Sequence, residues 1–571
     1  MTDFKQVIEK YYGEVLQFKE QKNLTCFLYE YEALNKKVTL RIEISDRFPN
    51  EIPEIFVHKY EDSLDFFSHV ESEGKVCYFP TDNIVFDNTK PEQLIIECLN
   101  QVLKIIETWK TQEMENELRR EFLSYWSYLW NKSKSRSICT LYSVLGDSIQ
   151  ECEIIRSKSR NFLFSKKDNK KQEILNIVLG ENHDRNKLKK ETALYLPIRE
   201  NNNIIPPNPK KELKIEDVKN IIDGNLRSSV KKQYKRWLKR TKKSFWLFVG
   251  IPISSGNTIV IGFFVKNHGN NNPLKKNDHS HKVIPLLIKR ADSQYQINRT
   301  SQNHSLDKAK IAIIGLGSVG SIVANHLSKM GAKSLLLVDN DSIEVENISR
   351  HLLGFDSLSK GDGSKVEALQ NYIEKQNPNI NIDVESLSFQ KMIEVDPSSF
   401  DDIDIIVSCT GDTMTNIYID NFFKEMNKPL VFGWLDPYGI GSHCLIAKAQ
   451  NPGCYGCLNY GSEGLCSNRA SFAEPGQNFQ KNLASCGSSF IPYNYIASNS
   501  AANLVCEGVL RVIEGEVDSN NLLTSSIGRT NQFLKEGFKL SKRHKICTEV
   551  PEKLETKFVV SEYCPFCGEA S

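Results

Sequence analysis

The segment KIAIIGLGSVGSIVANHLSKMGAKSLLLVDND, Lys310 to Asp341, sets Gly315, Gly317 and Gly320 at G-x-G-x-x-G spacing between an apolar run and a helical pattern. A turn without side chains lets backbone N–H groups and a helix N-terminus approach a phosphate. Asp339 closes the next apolar run at the separation used to hold a ribose hydroxyl. These four residues suit NAD as well as ATP. The next residues of the chain separate the two: VDNDSIEVENISRH adds Asn347 and Arg350, and GDGSK adds Lys365. Two extra cations serve an adenylating site, where charge builds on a triphosphate as its α-phosphorus is attacked, and have no task in hydride transfer. Each charge-assisted phosphate contact contributes roughly 1.5–3 kcal/mol. SCTGD ends a further apolar run with Asp412, a carboxylate placed to hold Mg2+ beside the phosphates.

Cysteine supplies a second chemistry. Cys454 and Cys457 in PGCYGCLNY and Cys564 and Cys567 in YCPFCG are two C-x-x-C pairs, a ligand set for tetrahedral Zn2+ or, alternatively, four free thiols. A closed four-sulfur site keeps no open coordination position, so such zinc is structural and catalysis falls to other thiols. Cys486 in NLASCGSSFIPY and Cys466 in GLCSNRASF lie between the pairs, and Arg469 near Cys466 favours a thiolate there.

The elements that position these residues follow from pattern. From about residue 296, KIAIIG, SLLLVD, IDIIVSCT and KPLVFGW alternate with helical segments, which predicts a mostly parallel, doubly wound sheet. Residues 1–130 read as a separate α+β unit. NLTCFLYEY, VTLRIEIS and EIPEIFVH form an antiparallel meander, with Val38, Leu40, Ile42 and Ile44 on one face. Ile95, Leu99, Val102 and Ile106 mark an amphipathic helix capped by Asn88 or Thr89 and expected to continue through ELRREFLSYWSYLW. Residues 131–295 are a mixed linker region. Its basic run Lys231–Lys243 reads as a solvated helix face, and NHGNNNPLKKNDHSHK as a solvated loop.

Composition bounds the function. The 571 residues predict two to four domains; 40% hydrophobic and 25% charged residues are those of a globular protein. A formal net charge of +2 calls for neither nucleic acid nor membrane as partner. MTDFKQVIEKYY lacks the regions of a secretory signal, no apolar run approaches a membrane span, and fifteen scattered cysteines suit a reducing, cytoplasmic setting.

The order G-x-G-x-x-G, D-x-D, N-x-x-R, G-x-x-K and strand-end Asp resembles the ThiF/MoeB and ubiquitin-activating superfamily over residues 296–571. The resemblance implies an adenylation domain in which Asp339 holds ribose, Arg350 and Lys365 hold phosphates, Asn347 lines the site, and Asp412 holds Mg2+. Arg299 in QYQINRTSQ resembles the arginine that relatives add from an N-terminal segment, sometimes across a homodimer. Two positions depart: His351 stands where many relatives have Gln, and GDTMTNIYID lacks the arginine found one helical turn beyond the Mg2+ aspartate. The resemblance also implies that the paired knuckles bind structural zinc, clamping the C-terminal tail. It favours Cys486 over Cys466 as the thiol that accepts the activated acyl group.

The first 130 residues resemble a ubiquitin-conjugating enzyme, through VTLRIEISDRFPNEIPEIFVH, His69 and Cys77 in GKVCY, although His69-Val70-Glu71 replaces the usual His-Pro-Asn. Conjugating-like, linker and activating regions in this order resemble the fusion transferases of bacterial cyclic-oligonucleotide (CBASS) anti-phage operons. That resemblance implies ATP-dependent adenylation of a protein C-terminus, thioester relay through Cys486 and Cys77, and transfer to a target lysine, the carried protein being a cGAS-like nucleotidyltransferase. The alternatives are a sulfur-carrier adenylyltransferase, which has no use for a conjugating domain, and a non-catalytic ATP-sensing scaffold. A nicotinamide dehydrogenase is disfavoured by Arg350, Lys365 and the knuckles.

Overall fold

Alternation in VTLRIEIS produces the strand Lys36–Ser45, whose Leu40, Ile42 and Ile44 are almost fully buried. It lies within a four-stranded antiparallel meander with Val15–Gln21, Leu24–Ala33 and Glu54–Val57; the first of these was not predicted. The structure, a computed structural model, describes all residues except 1–3, 22–23, 34–35, 61–65, 80–84, 136, 159, 181–182, 184–186, 200–203, 254–257, 276–280, 301–304, 361–362, 462–466, 483–488, 518–520, 559 and 568–571. By internal contacts the chain divides into one unit of residues 1–168 and 184–292 and another of 169–183 and 293–571.

In the first unit the helix Pro91–Thr108 buries Ile95, Leu99, Val102 and Ile106 against the meander. Its cap is not Asn88 or Thr89. The cap position is Lys90, without a side-chain bond, and Pro91 opens the helix because its missing N–H would have had no partner there. Nor does the helix run on to Lys132. Thr108 and Thr111 hydroxyls donate to carbonyls three residues back, Trp109 stacks on Phe67 at 4.2 Å, and its indole donates to the Ser68 carbonyl. Those contacts break the helix, and two shorter ones follow, Glu113–Arg120 and Phe122–Lys132.

The middle region forms a closed seven-stranded barrel. Its strands run in the order Thr258–Asn267, His281–Arg290, Ile138–Leu141, Asn161–Ser165, Gln150–Arg156, Lys189–Pro197, Phe245–Pro252. The basic run lies on the helix Ser228–Arg240, which buries Val230 and Tyr234 and exposes most of its lysines. The predicted solvated loop is partly interior. Asn267, Asn272 and Leu274 are buried, and the Asn267 amide donates to the carbonyls of Lys242 and Asn271.

The second unit is the doubly wound sheet the pattern predicts. Asn381–Glu385, Ser334–Val338, Lys310–Ile314, Ile405–Ser408 and Leu430–Leu435 are parallel neighbours in that order; Gly441–Ala447, Leu522–Ile527 and Glu555–Lys557 extend the sheet antiparallel. Ile311 and Ile313 face one apolar layer with the helices Gly320–Met330 and Tyr495–Glu514; Ala312 and Ile314 face the other. The glycine turn therefore sits at the carboxyl end of a central strand, where the strand order reverses.

Candidate active sites

The three glycines serve different ends. Gly315 has φ +84°, and a Cβ there would lie 2.7 Å from Thr410 backbone; a Cβ on Gly320 would lie 1.9 Å from the Gly315 carbonyl oxygen. Both are packing requirements. A Cβ on Gly317 would meet nothing within 4 Å, so that glycine borders open space at the start of a helix, as a phosphate cradle requires.

Asp339 folds over the turn. Its carboxylate accepts from Leu316 N–H at 2.6 Å and from Asp341 N–H at 2.9 Å. Lys365, the first residue of the helix Lys365–Gln376, is only 4% exposed, and its ammonium donates to Asp341 at 3.0 Å and to Asp339 at 3.5 Å. The Asn347 carbonyl accepts from the N–H groups of Arg350 and His351, which starts the turn carrying both. His351 is buried beneath the glycine loop. One ring nitrogen lies 2.8 Å from the Leu316 carbonyl, and the other accepts from Leu353 N–H at 3.1 Å. That pair of contacts requires the neutral tautomer with Nε2 protonated, and burial pushes the imidazole below its usual range. Arg350 lies over the Tyr493 ring at 4.7 Å, and the Tyr493 hydroxyl is 3.0 Å from Ser318 of the loop. Tyr493 was missed in the sequence because nothing local marks it; 175 residues separate it from Ser318.

Asp412 stands after the strand Ile405–Ser408, exposed, and one of its oxygens caps the helix Thr413–Glu425 through Thr415 N–H. Its link to the turn is Thr410, against which Gly315 packs. Arg299 lies exposed on the helix Ser293–Thr300 beside Tyr295. Among the described residues, the structure thus brings together the three glycines, Asp339, Arg350 and Lys365, and gives Arg299 no contact with them. Cys466 and Cys486 lie outside the described residues.

The sulfurs of Cys454, Cys457, Cys564 and Cys567 all lie within 4.8 Å of one another. Ligands about 2.3 Å from a tetrahedral zinc are themselves about 3.8 Å apart, and Cys454 is 3.5 Å from Cys564 and 3.8 Å from Cys457. The cluster fits a single metal ion, with the Lys424 ammonium 3.4 Å from Cys567 as an outer partner. Cys454, Cys457 and Cys564 are buried in the apolar layer with Tyr455 and Phe558, and Cys567 is partly exposed.

Cys77 is exposed, and Glu71 lies beside it, Sγ to Oε1 3.4 Å. Partial burial of the sulfur, then the Glu71 carboxylate, push the thiol up to about 12. The nearest charge is an acid, and the Lys75 ammonium, bonded to Glu54, offsets it only in part. His69, at φ +60°, is clamped between Glu121 at 3.1 Å and Glu117 at 3.4 Å, and the Glu121 hydrogen bond raises its pKa.

The glycine turn with Arg350 and Lys365 on a doubly wound sheet, and the exposed thiol that follows a meander, belong to the two different units of the chain. Family comparison agrees: the ThiF family matches residues 292–548 and prokaryotic E2 family B matches residues 8–134. The chain carries both domains, and it is an enzyme of the adenylyltransferase type. Among known proteins, an ATP-dependent ubiquitin transferase-like protein Cap2 of Pseudomonas aeruginosa is 22% identical over 81% of this chain and 83% of its own length. The protein of that name from Escherichia coli is 25% identical over 44% of this chain and 43% of its own length. A molybdopterin-synthase adenylyltransferase of Haemophilus influenzae is 30% identical over 22% of this chain and 51% of its own.

Proposed function

We propose that the protein activates the C-terminus of a partner protein with ATP and conjugates it to an amine. The partner's carboxylate attacks the α-phosphate of ATP, giving acyl-adenylate and pyrophosphate. Cys486 takes the acyl group as a thioester and releases AMP, Cys77 receives it by thiol exchange, and a lysine amine captures it as an amide. The relay replaces one difficult amide synthesis by steps of smaller barrier. Asp339 would hold the ribose, Arg350, Lys365 and the Gly317 turn the phosphates, with Asn347 lining the site and Asp412 supplying an oxygen to Mg2+. The cysteine cluster would hold structural Zn2+. Arg299 would act from a second copy in a homodimer.

The observation that carries this reading is the buried ammonium of Lys365 at the glycine turn, 3.0 Å from Asp341. A cation held there in a preorganised position stabilises charge that grows on phosphate and has no counterpart need in hydride transfer. The name of the Pseudomonas relative and the conjugating-type domain support transfer to a protein over sulfur-carrier activation. The choice of a cGAS-like nucleotidyltransferase as carried protein, and of anti-phage defence as setting, rests on the CBASS resemblance of the domain order.

The test is ATP–pyrophosphate exchange and mass spectrometry of the chain with ATP, Mg2+ and a cGAS-like nucleotidyltransferase. Exchange dependent on an intact partner C-terminus, and reducible adducts at two cysteines, are the expected results. Sulfide-dependent thiocarboxylate on the partner would favour the sulfur-carrier reading. Absence of any carboxylate-dependent pyrophosphate release would sink both.

A further inference from the structure

The segment SHVESEGKVC doubles back on itself, and the turn decides what meets the Cys77 sulfur. Val70 bridges Val76, Cys77 N–H donates to the His69 carbonyl at 2.8 Å, and Glu71 N–H donates to the Lys75 carbonyl at 2.8 Å. Gly74 makes the reversal at φ +92°, where a Cβ would lie 2.6 Å from the Val57 carbonyl oxygen. The result is a Glu71 carboxylate held 3.4 Å from the sulfur.

Glu71 makes no ion pair among the described residues, because the one base in its turn, Lys75, is bonded instead to Glu54 at 2.5 Å. The other titratable groups facing the sulfur and Glu71 are Glu121, Tyr128 and, from its bond to Glu54, the Lys75 ammonium, with His69 behind them held by Glu117 and Glu121. Acids thus outnumber the one ammonium at this rim, and the carboxylate at the reacting atom makes no ion pair among the described residues. Such a rim attracts an ammonium and repels a carboxylate or phosphate.

We propose that Glu71 is the general base that prepares the lysine-type amine for attack on the acyl group of Cys77. The proposal rests on the reading that Cys77 carries an acyl group. Glu71 binds the ammonium and takes one proton; the neutral nitrogen then attacks the thioester carbonyl. The C–N bond forms and the C–S bond breaks. The departing Cys77 sulfur takes the second proton from nitrogen, leaving amide and thiol, and Glu71 returns its proton to water. The position of Glu71, two residues after His69, is where the His-Pro-Asn element has its asparagine. An ionised carboxylate cannot donate a hydrogen bond to an oxyanion as an amide does, so base and donor roles part company on substitution to glutamine.

The experiment loads Cys77 in the full chain from a synthetic glycyl-peptide thioester, with peptide mapping to read acylation at Cys77. Discharge is then followed with free lysine and with hydroxylamine, which is already neutral near pH 7. Glu71→Gln and Glu71→Ala should each slow lysine discharge by about tenfold or more near neutral pH. The residual rate should climb toward the alkaline range of the free amine, and hydroxylamine should discharge wild type and variants alike. Lysine discharge by E71Q at or above the wild-type rate overturns the base role. Equal slowing with both nucleophiles overturns it too, because that marks a group acting on the carbonyl. If Cys77 of the wild type takes no acyl group at all, the relay reading itself falls, and the proposal with it.

Discussion

Lys365 carries a full charge into a site that is 4% exposed, and two carboxylates, Asp339 and Asp341, meet it there. Substituting Met keeps the bulk and removes the charge, so Asp339 loses a partner at a position where it has little solvent. Lys365→Met should lower unfolding free energy by about 1–3 kcal/mol, read by denaturant titration, the exposure of Asp341 holding the loss to that range. ATP–pyrophosphate exchange should fall by about a hundredfold or more. Gly317 gives the complementary case. Open space surrounds its Cβ position, so Gly317→Ala should fold normally yet raise the KM for ATP, whereas Gly320→Ala, 1.9 Å from a carbonyl oxygen, should fail to fold. Sequence spacing could name these glycines together but could not rank them; only their surroundings do.

The same scale holds His351. Its contacts need one donor and one acceptor, and glutamine offers both, which accounts physically for glutamine at this position in the proteins the motif resembles. His351→Gln should keep exchange activity and near-native stability; His351→Leu should cost about 1–3 kcal/mol by stranding the Leu316 carbonyl and the Leu353 N–H. The pH dependence has a definite sign. Burial lowers the folded imidazole below its ordinary value of 6.5, so below that pH the unfolded chain binds the extra proton first. The stability that His351 contributes is complete above the unfolded value and is lost as pH falls through it toward the folded one. Wild type should therefore lose stability faster than H351Q between neutral and mildly acid pH, and a parallel pair of curves would refute the assignment.

At the scale of elements, what was legible depended on whether burial follows local period. The meander was readable because Leu40–Ile44 alternates at strand period, and the sheet strands because short runs such as Ile311–Ile314 are apolar on both faces, with the glycine turn directly after that run. The barrel was not, since its strands pair non-consecutively and parallel and antiparallel neighbours alternate irregularly around it. The break after Thr108 was hidden for a different reason: helical period continues through it, and the cause is a long-range contact, the Trp109 indole on Ser68 and Phe67. That contact fixes the residue just before His69. Trp109→Ala should cost about 3–5 kcal/mol in unfolding free energy. It should also raise hydrogen exchange across residues 67–77, because the turn that presents Cys77 loses its anchor.

At the scale of the molecule, two chemistries must be separable if adenylation and acyl relay use different residues. Adenylation needs no thiol, so Cys77→Ala and Cys486→Ala should each leave ATP–pyrophosphate exchange intact while abolishing conjugate formation; loss of exchange in either would place that cysteine in the nucleotide site. The four-cysteine cluster obeys a different logic. Cys454 and Cys457 belong to a short helical turn after the strand Gly441–Ala447, and Cys564 and Cys567 lie beyond the last strand, Glu555–Lys557. A metal ion there closes a loop of about 110 residues and holds the segment after Glu555–Lys557 against the sheet. Without the ion, four thiolates within 4.8 Å repel one another and must take up protons. Purified protein should contain about one zinc per chain, Cys564→Ser should lose most of it, and chelation should lower the Tm of the second unit while leaving the meander and barrel unfolding as before. A chain that binds no zinc and whose Tm ignores a chelator would show that these sulfurs only pack.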